Sequence, residues 1–175
     1  GFLISHQICS FEIFVPSLSK VFNYLFYFAR GLLNIPGNWQ MVSQNETSFW
    51  FSPGGGYFRR QNNTYFRYGV NAGIRSVQIN DLMAESKTFY QTIFQAGNNY
   101  LDEQHPVKEI IVNDRKGMVA TFAGFGLQDQ EEEIVTVYTF FTAQGNLFYI
   151  ITVSPFYKRA DYQSAFRKIL NSARF

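Results

Sequence analysis

The sequence predicts an α+β domain, an α-β-α sandwich in which an antiparallel sheet is covered by helices. Three observations lead there. Four apolar segments (Val107–Val112, Met118–Phe125, Ile134–Phe141 and Leu147–Ser154) follow one another through short links. Such links join antiparallel neighbours, because a parallel crossover needs about a dozen residues or more. In the third and fourth segments both alternating sets are apolar, as with Val135, Val137 and Phe141 against Ile134, Tyr138 and Phe140. A strand apolar on both sides is covered on both sides. Finally, a segment of helical periodicity precedes the four and another follows them, which supplies the two covers.

From the N terminus, residues 1–34 read differently from the rest. Val21, Phe22, Leu25, Phe28, Ala29, Leu32 and Leu33 recur at helical spacing, with Ser17 or Ser19 as cap. The polar side is thin (Lys20, Asn23 and Arg30), so such a helix packs on a core, on a partner, or along a membrane surface. Glu12, Lys20 and Arg30 interrupt the run, which excludes a span of ~20 apolar residues. A basic start, clean apolar stretch and cleavage site are missing too, so it does not read as a signal peptide. Gly1 in place of Met reads as a processed chain or a fragment. Asn34-Ile35-Pro36-Gly37 punctuates the chain, placing a boundary between a segment 1–34 and a domain 35–175.

Two short aromatic strands, Trp39–Ser43 and Ser48–Ser52, open the domain, and Ser52-Pro53-Gly54-Gly55-Gly56 is a turn. Phe66–Ile79 alternates as one half-buried strand. Phe66, Tyr68, Val70, Ala72 and Ile74 lie on one face; Arg67, Gly69, Asn71, Gly73 and Arg75 lie on the other. The glycines invite close approach by a helix or a ligand. Asn80-Asp81 caps a helix from Leu82 to Ala96, Glu85 suits the positive end of its dipole, and Gly97 stops it. Asp161 is the expected cap of the last helix, whose Tyr162, Phe166, Ile169 and Leu170 share one side.

Composition excludes several classes of function. With 46% hydrophobic and 16% charged residues in 175, the chain folds rather than staying disordered. A net charge of +2, with Arg59-Arg60 and Lys158-Arg159 as the nearest basic clusters, is too weak for a nucleic-acid groove. Cys9 is the only cysteine, which rules out an internal disulfide and a Cys-rich zinc site. Asn45-Glu46-Thr47 and Asn62-Asn63-Thr64 fit the glycosylation pattern, one that chance readily produces in an Asn-rich chain.

Catalytic patterns fare no better. His6 and His105 are the only histidines, and no His-Glu-x-x-His is present. His105, within Asp102–Pro106, reads as part of a solvated loop ahead of a strand. No serine lies in a Gly-x-Ser-x-Gly elbow. Glu131-Glu132-Glu133 reads as a solvated hairpin, since glycosidase carboxylates must face one another across a cleft. Gly54-Gly55-Gly56 lacks the following Lys-Ser or Lys-Thr of a phosphate cradle. The sequence therefore implies no catalytic residue, metal or cofactor. One candidate binding surface is left: Arg67, Asn71 and Arg75 on the glycine-bearing face, open to an anion or peptide. The alternative is a helix packed over the glycines with the arginines at its rim.

From Gly37 onward the sequence also carries a family resemblance. It rests on Gly37-Asn38-Trp39, Ser52–Phe58, Tyr68-Gly69-Val70 and Gly97–Leu101. It is clearest in Leu147–Ile150, Val153-Ser154-Pro155, Tyr162, Phe166 and Ile169–Phe175. These residues resemble the PsbP-like accessory domain C-terminal to the zinc-peptidase module of some bacterial HtpX-like metallopeptidases. The resemblance implies a non-catalytic accessory or interaction domain of the cell envelope, periplasm or secreted space. Its partner would be another protein or its own peptidase module; the alternative is that the chain is the C-terminal fragment of a zinc metallopeptidase whose catalytic module lies outside it. A stand-alone small-ligand module is the further alternative, and it requires a pocket.

Overall fold

The computed structural model describes residues 2–3, 33–60, 63–126 and 130–174. Its strands are β1 (Phe2–Leu3), β2 (Trp39–Gln44), β3 (Ser48–Pro53), β4 (Tyr57–Arg60), β5 (Asn63–Phe66) and β6 (Gly69–Arg75). Helix α1 (Leu82–Ile93) follows, then β7 (Asp102–Val112), β8 (Arg115–Phe125), β9 (Glu132–Phe141), β10 (Leu147–Pro155) and helix α2 (Arg159–Ser172). Seven strands form one sheet in the order β2-β3-β6-β10-β9-β8-β7, every pair antiparallel. With α1 on one face and α2 on the other, this is an α-β-α sandwich. A small sheet, β1-β5-β4, stands apart.

The two-sided apolar strands lie at the centre, as their pattern requires. Val135 and Val137 of β9, with Ile151 and Val153 of β10, pack towards α1 among Phe66, Phe89 and Phe122. Their alternates Phe140, Phe148 and Ile150 pack towards α2 around Ile169. The segment 1–34 falls mostly outside the described residues, including the helix expected from Leu18. Of the rest, β1 pairs with β5, Leu33 is buried in the α2-side core, and the Asn34 amide donates to Ser172 Oγ at 2.7 Å.

Four expected elements are corrected. The single strand Phe66–Ile79 is two, broken at Arg67–Tyr68, because both amides turn to donate to the Gly56 carbonyl at 2.9 and 3.1 Å. The chain before the break pairs with β4 instead of the main sheet. The glycines after it are closely approached by neighbouring strands and their side chains. A Cβ at Gly69 would strike the Phe51 carbonyl and the Phe66 ring; one at Gly73 would strike Thr47 O and Tyr149.

Strand β7 begins at Asp102, five residues before the expected start, with register shifts either side of His105. Its edge position tolerates Pro106, which has no N–H to offer a ladder. Helix α1 keeps its cap, Asp81 Oδ1 accepting from the Ala84 amide at 3.0 Å. It ends at Ile93 rather than Ala96, widening into a π-turn over Phe94–Asn98 that closes at Gly97, φ +98°. Helix α2 starts at Arg159, so Asp161 sits in its first turn and is not the cap.

Phe140 is wholly buried, whereas Phe166 is only partly so and meets Trp39 edge-on at 6.0 Å. Phe140→Ala is expected to cost about 3–5 kcal/mol, and Phe166→Ala clearly less. Urea unfolding of both variants measures this, and equal losses would contradict the assigned depths.

Candidate functional site

The row Arg67, Asn71 and Arg75 is divided by the broken strand. Arg67 lies in the bend and is exposed, its guanidinium 5.1 Å from the Phe58 ring centre. Asn71 is buried within the sheet, and its Nδ2 donates to the Phe49 carbonyl of β3 at 2.9 Å. Arg75 ends β6 and lies over Phe89 of α1, 5.4 Å from the ring centre. The structure does not gather the three on one open face: Asn71 ties β6 to β3, while Arg75 is laid against α1.

A second arrangement, which sequence reasoning missed, forms on the opposite face. Thr121, Thr136 and Thr152 each interrupt an apolar set of their strand. Pairing sets Thr121 opposite Thr136 and Thr136 opposite Thr152, and places His105 of β7 opposite Thr121. Four polar side chains therefore cross four adjacent strands in register, a span of ~14 Å at the usual strand spacing. The hydroxyls are only loosely engaged with the sheet. Thr121 Oγ1 and Thr136 Oγ1 are 3.4 Å apart, and Thr152 Oγ1 reaches the Thr136 carbonyl at 3.5 Å. Both exceed the usual 2.5–3.0 Å of a hydroxyl bond.

Helix α2 supplies the facing wall. Arg159, Gln163 and Arg167 recur every fourth residue and so form one stripe. Between the stripe and the threonine row lies a cleft of about 370 Å³, with Ile134, Phe166 and Leu170 forming its apolar part. Among the described residues no carboxylate lines the cleft. Tyr138 also lines it; burial pushes its phenol pKa up, and the nearby Arg167 charge opposes that rise. His105 thus occupies a strand at the mouth of a cleft rather than a loop. Among the described residues no cluster of His, Cys, Asp and Glu could hold a metal, and no helix is long and apolar enough to cross a membrane.

The sheet end beside the cleft carries a different surface. Phe125 closes β8 opposite Glu132, and Pro155 closes β10 opposite Glu133, so Phe125 and Phe156 emerge at the same end. Phe125, Phe156 and Tyr157 are 60%, 47% and 66% exposed. Arg159 lies over the Phe156 ring at 5.9 Å and Lys158 over the Tyr157 ring at 5.6 Å.

No protein-family model and no curated protein sequence matches the chain. Solved structures of similar arrangement include the cyanobacterial PsbP protein CyanoP of Synechocystis sp. PCC 6803. It is 11% identical, over 79% of this chain and 93% of that one, with a TM-score of 0.46. The Ran-binding protein Mog1p of Saccharomyces cerevisiae is 11% identical over 79% and 78% of the two chains, with a TM-score of 0.48. LpqN of Mycobacterium tuberculosis, involved in cell envelope biogenesis, is 8% identical over 79% and 78%, with a TM-score of 0.41. Likeness at this level concerns the layout of strands and helices and carries no activity or partner across.

Burial also raises the phenol pKa of Tyr90 and Tyr149. That of Tyr162 is pushed up to about 12 by burial, by its hydrogen bond to Tyr68 and by the Tyr68, Asp161 and Tyr157 charges. A tyrosine whose folded pKa exceeds the unfolded 10.0 releases its proton on unfolding. Its contribution to stability is present below pH ~10 and is lost as pH climbs towards ~12. An ultraviolet titration is expected to show these four phenols ionising after the exposed ones, with stability falling over that range. A single transition near pH 10 with unchanged stability would refute it.

Proposed function

We propose that this chain is a non-catalytic accessory domain that binds another protein, with the aromatic corner of Phe125, Phe156 and Tyr157 as the contact surface. The observation that carries the reading is that corner: three large aromatic side chains exposed together at one sheet end, two of them under cations. Large apolar groups held in water are costly unless a partner covers them. Aromatic residues and arginine are also the types enriched at the centres of protein interfaces.

The sequence resemblance to HtpX-like accessory domains is the ground for placing the partner in the cell envelope, periplasm or secreted space. A peptidase module, joined to this domain or bound by it, is the form of partner that resemblance suggests. The apolar segment before residue 35 belongs to the same proposal, as a stretch that packs on a partner or a membrane surface. Arg67 and Arg75 add charge at the two ends of β6 and are proposed as secondary contacts; Asn71 between them acts by holding the strands.

The experiment is a photo-crosslinking residue placed at Tyr157 in the source cells, with exposed Lys87 of α1 as control position. A discrete adduct at Tyr157 alone, lost on Phe156→Ser, is expected. The Phe156→Ser change itself should alter stability by no more than about 0.5 kcal/mol, as for other surface positions. No adduct, or equal adducts at both positions, would contradict the surface.

A further inference from the structure

We infer that the cleft between α2 and the sheet is a binding site for a small, hydroxylated organic anion, a carboxylate of the sugar-acid type. This goes beyond the protein-binding reading and uses a different surface. The argument begins with charge. Arg159 and Arg167 stand on one wall, eight residues apart and so ~12 Å along the helix axis, with Gln163 midway between them. No carboxylate among the described residues lines the cleft, and the ion pair of Lys116 Nζ with Glu109 Oε2 at 2.6 Å lies elsewhere. A cationic wall without an internal counter-ion favours an anionic occupant.

The opposite wall selects the body of that occupant. A phosphate or simple carboxylate would use the guanidinium groups and leave the threonine row unused. The hydroxyls of Thr121, Thr136 and Thr152 donate and accept alike; a 3.4 Å contact between Thr121 and Thr136 and a 3.5 Å contact from Thr152 to the Thr136 carbonyl are too long to use up that capacity. Such a row suits a chain or ring of hydroxyl groups laid across the strands. The apolar edge formed by Phe166 and Leu170 matches the C–H face of a sugar. At about 370 Å³ the cleft lies in the range that small ligands occupy. Arg167 takes the carboxylate, Thr136 and Thr152 take hydroxyls, and Gln163 bridges to either.

The test is an amide-resolved NMR titration of the full chain with glucuronate, glucose and inorganic phosphate as probes. Glucuronate is expected to shift the Thr136 and Thr152 amides saturably below about 10 mM. Arg167→Gln and, from the other wall, Thr136→Val should each weaken it about tenfold, with unfolding midpoints unchanged. Glucose should bind at least ~10 times more weakly, for want of the charge. Absence of saturable shifts at the cleft would overturn the proposal. Glucose binding as tightly as glucuronate would overturn the anionic part, and phosphate binding as tightly would overturn the hydroxyl part. A glucuronate site mapped to other residues would overturn the location.

Discussion

Strands β9 and β10 pair without interruption from Leu147–Phe141 to Pro155–Glu133, and the rest of the molecule is arranged around that ladder. Because both faces of the pair are apolar, neither can be left to water, and each calls for a separate cover. Helix α1 meets one face and α2 the other. The hydrophobic term is large on both sides: Val135, Val137, Phe140, Leu147, Ile150 and Val153 are wholly buried. Fully burying such a side chain is worth about 1.5–3 kcal/mol. Strand β6 continues the sheet on one flank and β8 on the other, while the exposed positions of β7 fit an edge.

Several of the polar groups trapped by this layering have specific partners. Ser86 of α1 meets Thr139 of β9 at 2.6 Å and also donates to the Leu82 carbonyl. Glu85, which in the sequence suggests only a helix-dipole contact, is buried and accepts from the amides of Gln78 and Ile79 at 2.7 and 2.5 Å. It therefore ties the chain leaving β6 to the first turn of α1. Burying a carboxylate without such donors would be severely unfavourable, so the entry to the helix is held by one side chain. Asn71 does comparable work between β3 and β6.

The two surfaces of functional interest adjoin without overlapping in role. The aromatic corner is made where β8 and β10 run out of pairing partners, and α2 begins immediately afterwards. Its first residue, Arg159, both covers Phe156 and lines the cleft. A partner seated on the corner would therefore come into reach of a ligand in the cleft through one arginine.

The layered architecture was legible in the sequence because periodicity reports burial directly. Both-sided apolar strands announced their two covers, Asp81 its capping role, and Gly97 the end of a helix. Strand limits were less legible, because they depend on what the backbone bonds to. Nothing local in Phe66–Ile79 says that the distant Gly56 carbonyl captures two of its amides and breaks it. For the same reason a row read as Arg67, Asn71 and Arg75 on one face became a bend, a buried tie and an arginine laid on Phe89. The cleft was out of reach altogether. Thr121, Thr136 and Thr152 are unremarkable strand residues one at a time, and His105 looks like a loop residue. Only strand register sets them side by side, and only the docking of α2 puts Arg159 and Arg167 across from them. Residue patterns determined which faces are buried; long-range pairing decided which polar groups meet, because register is a property of strands far apart in the chain.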